Sequence, residues 1–302
     1  MLTAGPAMAD SAAPYVELQV ATNFSFLRGA SHPHELFGRA ATFGYGTLGV
    51  TDHNSVAGII RAHVAAEEHG VRLVPGVHLD LVDGTALLAY PIDRAAWGSL
   101  CRLLTLGHKR GERQVFTLTW EDLEAGGAGL VVILLPDMPD ADLARVLSRL
   151  GDLERKGGID SAYLGLTLRR RPGDQARLQA LVDLAGRTGV PTVVVGDVLY
   201  HDAQRHILQD VLTAIRLGAP LDQLGAGREP FRDRHLKSPD EMLALYRGFE
   251  AALAATRTIV ARCRFSVADL THLIHGIEYF GWIFLLLWFG RAGSHRVEAV
   301  SF

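Results

Sequence analysis

From about Tyr15 to Gly218 the chain alternates short apolar runs with helix-length amphipathic stretches. The runs are Val16–Val20, Leu48–Thr51, Leu73–Leu81, Leu87–Tyr90, Leu130–Leu135, Tyr163–Leu168 and Pro191–Val195. Several are β-branched and bounded by Gly or Pro, which is how buried strands read. The helical patterns are His34–Phe43, Ser55–His69, Asp93–Leu106, Ala141–Leu150, Gln175–Thr188 and Gln204–Leu217. Pro33 sits where a first helical turn accepts it, Ser55 reads as an N-cap, and Gly70 as a stop. Strand followed by helix, repeated this often, predicts an α/β fold with a parallel sheet covered by helices. Periodicity does not choose between an open doubly wound sheet and a closed barrel.

Leu236–Cys263 reads as two further helical segments, the first opened by Ser238-Pro239-Asp240-Glu241 with a cap, a Pro and early acids. Charge narrows the function classes. The formal net charge of -3 provides no global field toward nucleic acid or membrane, so nucleic-acid contact must be local or belong to a larger parent molecule. The two cysteines, Cys101 and Cys263, stand far apart and outside any CxxC pattern, which predicts reduced thiols rather than a disulfide framework or zinc ribbon. The first 14 residues lack a basic n-region and an apolar h-region, so a cytoplasmic protein with a flexible N-terminus is the expectation. The run Tyr279–Phe289 is intensely apolar but far short of the about 20 residues that a membrane span needs. It is expected to be a foreign tail, with no membrane partner.

The candidate chemistry lies just past strand ends, where α/β proteins gather their ligands. Thr51-Asp52-His53-Asn54 is one such place, Gly76-Val77-His78 another, and Gly196-Asp197-Val198-Leu199-Tyr200-His201 a third. Imidazole and carboxylate at strand ends suit Zn, Mn or Fe, and the same residues also serve as ordinary helix caps and loop ties. The basic runs His108-Lys109-Arg110 with Arg113, and Arg169-Arg170-Arg171, are read as solvated loops. The Gly-rich stretch Glu124–Gly129 lacks a Lys-bearing phosphate loop signature. His32, His34, His63 and His69 are read as structural or surface residues.

The stretch Glu17-Leu18-Gln19-Val20-Ala21-Thr22-Asn23-Phe24-Ser25-Phe26-Leu27-Arg28-Gly29-Ala30-Ser31-His32-Pro33 resembles the opening of bacterial error-prone DNA polymerases, paralogues of the replicative polymerase III alpha subunit. The resemblance continues through Gly49–Gly58, Asp93–Gly98, Leu103–Gly107, Gly196–His201, His235–Pro239 and Ala261–Ser266. It implies a PHP (polymerase and histidinol phosphatase) domain over residues 15–225, folded as a distorted (β/α)7 barrel. A helical connection over 226–270 toward a polymerase palm missing from this chain would follow, and then a non-family tail over 271–302. Without the palm no DNA polymerase activity is expected, and the Mg2+ of nucleotidyl transfer would belong to that missing part. No cofactor is expected in this chain. The implied partners are DNA and the mutagenesis and replication proteins, engaged through the full-length polymerase in translesion synthesis.

The same resemblance locates the family's metal ligands. Its His-x-His motif falls on Gln19 and Ala21, and its aspartate before a glycine on Arg28, a permanent cation. His53 is kept, a glutamate becomes His78, and the closing Asp-x-His becomes Asp197-Val198-Leu199. A degenerate site follows: vestigial at His53, Asp197 and His78, lost at Gln19, Ala21, Arg28 and Leu199, with no bound metal and no catalytic residue expected. Arg28 is expected to replace the metal's charge by pairing with Asp197 or Asp52. The alternative is a stand-alone metal-dependent phosphoesterase or exonuclease using His53, His78 and Asp197, with His201 nearby.

Overall fold

The computed structural model describes residues 14–111, 115–170, 172–224 and 232–270. Most of the N-terminal arm, Arg113, Arg171 and the aromatic tail lie outside the described residues. Six strands form one sheet in sequence order: β1 (Thr47–His53), β2 (Arg72–Asp80), β3 (Ala86–Pro91), β4 (Leu130–Leu134), β5 (Ser161–Leu166) and β6 (Thr192–Val194). The sheet is mixed rather than parallel. β1 pairs parallel with β2, β3 runs antiparallel to both β2 and β4, and β4, β5 and β6 are parallel. The reversal at β2–β3 follows from its short link, since a parallel pair needs a crossover of a dozen or more residues. Gly84 turns that link at φ 86°, and Leu81 N donates to Thr85 O at 2.8 Å.

The predicted first strand, Val16–Val20, forms no regular ladder but bridges the two sides of the sheet. Gly49 N donates to Glu17 O and Thr51 N to Val20 O on the β1 side. Ala21 N donates to Val198 O and Val198 N to Gln19 O beyond β6. This segment draws the sheet into a distorted α/β barrel. Two close approaches set its shape. A Cβ on Gly76 would stand 2.5 Å from the Tyr90 ring, and Tyr90 donates its hydroxyl hydrogen bond to Leu18 O. A Cβ on Gly196 would stand 2.0 Å from Glu17 Oε2, while Gly196 N donates to Glu17 Oε1 at 3.0 Å.

The helices are α1 (Pro33–Thr42), α2 (Ile59–His69), α3 (Arg94–Arg110), α4 (Trp120–Gly126), α5 (Asp140–Arg155), α6 (Asp174–Thr188), α7 (His206–Leu217), α8 (Pro239–Leu245) and α9 (Glu250–Arg262). Ser55 does not open α2. Its hydroxyl accepts from Ala57 N at 3.1 Å, closing a local turn that competes with helix, and Gly58 takes the cap position. Ser238 does cap α8, accepting from Glu241 N at 3.2 Å, with Pro239 in the first turn. α4 was not anticipated; Thr119 and Asp122 close its first turn reciprocally.

α9 belongs to the barrel's core. Ile259, Val260 and Cys263 join Val16, Leu18 and Tyr90 in one buried cluster with strands β4 to β6. Thr256, fully buried, accepts from Val16 N at 3.1 Å and donates to Leu253 O at 2.7 Å, so this helix holds the bridging segment in place. Each aliphatic side chain so buried is worth roughly 1.5–3 kcal/mol. Residues 266–270 begin a second unit, whose described part is a single tight turn over Val267–Leu270.

Candidate functional site

The strand ends form a rim with two unlike halves. In the first, β1 and β2 run parallel with His53 in register with His78. Their rings therefore lie side by side, stacked with centroids 3.8 Å apart at 25°. Asp80 lies two residues past His78, on the same face of the strand by its period of two. It meets His78 Nε2 at 3.1 Å and lies 3.5 Å from His53 Nδ1, an atom otherwise buried without a hydrogen-bond partner. Asn54 fixes the carboxylate: its Nδ2 donates to Asp80 Oδ2 at 3.1 Å and its Oδ1 accepts from Asp80 N at 2.9 Å. Asn54 does so from φ 50°, a left-handed conformation that Asn tolerates better than most residues.

The ionisation states in this half follow from burial and pairing. Burial lowers the His53 pKa to about 4, with His78 and Arg28 adding and Asp80 opposing. Burial works against the Asp80 charge, but the imidazoles of His53 and His78 hold its carboxyl well below the ordinary range. Ligand atoms of His53, His78 and Asp80 all lie within 4.8 Å of one another, a three-donor set of the kind a single transition metal accepts.

In the second half, the carboxylate is already engaged by protein groups. Asp197, at φ 51° and 6% exposed, receives Arg234 on Oδ1, Arg169 on Oδ2 at 2.5 Å and the Gln19 amide on Oδ1 at 3.2 Å. Arg234 Nε also donates to the Asp197 carbonyl at 3.1 Å. Burial raises the cost of the Asp197 charge, yet the two guanidiniums, Arg234 foremost, hold its pKa far below the usual carboxylate value. Beside it, Ala21 and Leu199 are packing residues: with Ala30 and Tyr200 they form a small buried apolar cluster against which Leu212 rests.

Several expectations are thereby corrected. Asp197 does not join His53 and His78; Asp80 does. The guanidiniums that neutralise Asp197 are Arg169 and Arg234, not Arg28, which makes no ion pair with Asp52 or Asp197 among the described residues. Asp52 turns away from the rim. It accepts from Thr22 N at 2.8 Å, from the Thr22 hydroxyl and from Ser25 Oγ at 2.6 Å, tying the 22–29 loop to β1. Burial raises its pKa, and those donors partly offset the rise. His201 lies apart, its Nδ1 2.7 Å from Ser31 Oγ and 4.0 Å from Glu35.

Among their described residues, neither basic run is a free loop. His108, Lys109 and Arg110 end α3, with Arg110 paired to the half of α4 that carries Asp122 at 2.6 Å. Arg169 is turned inward, and Arg170 pairs with Asp233 at 2.9 Å and Glu241 at 3.6 Å.

The donor chemistry does not fit the multi-ligand metal cluster that the resemblance implies. Four of its positions offer a neutral amide, a methyl, an isobutyl group and a guanidinium, and its aspartate already has both oxygens engaged by cations. The fold is a distorted α/β barrel with imidazoles and carboxylates gathered at its strand ends, one group within reach of a single ion and the other held by arginines. The chain belongs to the PHP domain family, which it matches over residues 17–195.

Relatives put that family in a larger context. The chain is 50% identical to error-prone DNA polymerase 1 of Agrobacterium fabrum over 262 residues, covering 87% of this chain and 24% of that protein. It is 41% identical to the error-prone DNA polymerase of Caulobacter vibrioides, covering 85% and 24%. The chain thus spans about a quarter of the length of the curated relatives it matches. Among solved structures, an amidohydrolase from Chromobacterium violaceum overlaps 61% of this chain and 87% of its own at a TM-score of 0.45 and 16% identity, too distant to bear on function.

Proposed function

We propose that this region is the PHP scaffold of an error-prone DNA polymerase, a domain that shapes and supports the polymerase without itself performing metal-dependent chemistry. In this reading nucleotidyl transfer, its Mg2+, and contacts with DNA and with mutagenesis or replication proteins belong to the full-length enzyme. Residues 15–225 make up the PHP part, and 226–270 lead toward the palm. The observation that carries the reading is the Asp197 clamp. A carboxylate that would ligate metal is held instead by Arg169, Arg234 and Gln19. Such a site is neutralised by fixed guanidiniums, which cannot deprotonate to make way for a metal. No described helix is long and apolar enough to cross a membrane; the apolar run Tyr279–Phe289 lies outside the described residues.

A second reading keeps a metal-dependent phosphoesterase or exonuclease, favoured by the His53, His78 and Asp80 donor set. There Asp80 takes the place first given to Asp197, and the metal would supply an activated water. Phosphoesterase and exonuclease assays with added Mn2+ or Zn2+ decide between the two. Absence of turnover supports the scaffold. Turnover abolished by either His53→Ala or Asp80→Asn supports the enzyme.

A further inference from the structure

Away from the strand-end rim, α1 and α2 bring together His34, Glu68 and His69, residues that the sequence alone reads as surface or structural. His34 lies in the first turn of α1, and Glu68 and His69 end α2. One ligand-type atom from each lies within 4.8 Å of the other two. His34 Nε2 stands 3.5 Å from Glu68 Oε2. Two donors bound at ~2.1 Å to one tetrahedral ion stand about 3.4 Å apart, so this pair already has the spacing of shared ligands. The two imidazoles meet edge to face, with ring centroids 4.6 Å apart at 67°. The cluster is separate from the rim. His69 precedes the start of β2 by three residues, whereas His78 stands six residues into that strand, about 20 Å along it at ~3.3 Å per residue.

A second observation concerns the His69 ring. Its Nε2 is buried without a hydrogen-bond partner, and buried polar atoms are ordinarily paired. Gly38, one turn after His34 on the same face of α1, gives the ring its room. A Cβ there would stand 3.3 Å from His69 Cε1 and 3.4 Å from Nε2. The imidazole is thus seated against α1 with a nitrogen that the protein leaves unsatisfied. Nor is the carboxylate engaged by a fixed cation. Among the described residues Glu68 pairs with no Lys or Arg, in contrast to Asp197.

We propose that His34, Glu68 and His69 form a surface site for one divalent transition-metal ion of the zinc type, which staples α1 to α2. Two imidazoles and one carboxylate are a donor set that such ions accept, with water completing the tetrahedron. The side chains of His34 and Glu68 are 67% and 54% exposed, so the ion exchanges with solvent. The site fills when Zn2+ is supplied and empties on desalting. The inference is independent of the scaffold reading, which concerns the rim.

The test is calorimetric titration of the full chain, stripped with EDTA and desalted, with ZnCl2 in a buffer that does not bind the ion. The expected result is one saturable equivalent, equal in the unaltered chain and in His53→Ala. Either His34→Ala or Glu68→Gln should weaken it about tenfold or more, since even the partners of metal ligands are worth about that much in affinity. Zn2+ should also raise the melting temperature of the unaltered chain and not that of the two variants. Both substitutions fall on exposed side chains, so the metal-free variants are expected to keep their circular dichroism. Should they not fold, Zn2+ protection of the unaltered chain's histidines from diethyl pyrocarbonate, located by peptide mapping, replaces them, with protection expected at His34 and His69. No saturable binding, binding equal in both variants, or no protection at His34 and His69 overturns the site and leaves the scaffold reading standing. An ion lost with His53→Ala and kept in His34→Ala overturns both.

Discussion

The two halves of the strand-end rim hold their polar groups in different ways on one framework. On the β1–β2 side, two histidines and a carboxylate remain within reach of a common point. On the side of Gln19 and Asp197, the carboxylate survives but is fixed by two arginines, and the neighbouring positions pack as hydrocarbon. The difference teaches that similar donor types at strand ends are satisfied in two ways, by one another or by guanidiniums. Asp197 combines a left-handed backbone, burial and a carboxylate charge met by two guanidiniums. Ala21 and Leu199 offer no donor atoms and pack as hydrocarbon. His53 and His78 stack, and His78 bonds Asp80, while His53 Nδ1 stands 3.5 Å from the same carboxylate with no hydrogen bond.

The comparison breaks most readily at the clamp. Replacing both guanidiniums, as Arg169→Met/Arg234→Met, leaves Asp197 buried and unpaired and is expected to cost about 3–5 kcal/mol in urea unfolding. The pH dependence has a definite sign. The Asp197 pKa is depressed in the folded state, so its contribution is fully present at neutral pH. That contribution is lost as pH falls from the unfolded value of roughly 3.9 through the lower folded value. The wild-type chain should therefore lose stability steeply below about pH 4, and the double variant should lose less over the same interval. Parallel urea titrations at acidic and neutral pH measure this.

A smaller effect is expected at the apolar patch. Leu199→Ala removes a buried side chain facing Ala21 and Ala30 and should cost about 2–3 kcal/mol, toward the low end for such cavities because the cluster is small. A value near zero would mean that the patch does not contribute as packing. On the histidine side the effects are smaller still. Asn54→Ala loses two bonds to Asp80 and places a β-carbon residue without a helpful side chain in the left-handed region, expected to cost about 1–2 kcal/mol. Asn54→Gly keeps the backbone conformation easy, so the difference between the two variants isolates the conformational part.

Much of the framework was legible from local pattern. All seven apolar runs lie in strands or in the bridging segment, because β-branched runs between glycines have few other uses in a folded chain. Strand direction was not legible from the alternation, although Asp83-Gly84 in a short link was a turn signal for the β2–β3 reversal. α4 was missed because its seven residues are too few to show a periodicity, and only Thr119 and Asp122 marked its start. In the site, His53 and His78 were legible because each ends an apolar strand. Asp80 was within reach by the same reasoning, since His-x-Asp on a strand puts both side chains on one face. Arg234 was not, since it stands in an irregular segment 37 residues beyond Asp197 and meets it only through the fold.

The central claim is that arginines have replaced metal at this rim, and elemental analysis of the full chain, purified without chelator, tests it most directly. The account predicts Zn, Mn and Fe well below one equivalent per chain, unchanged by His53→Ala. A stoichiometric ion that disappears with His53→Ala or Asp80→Asn would contradict it, and would show that the histidine half alone still makes a metal centre.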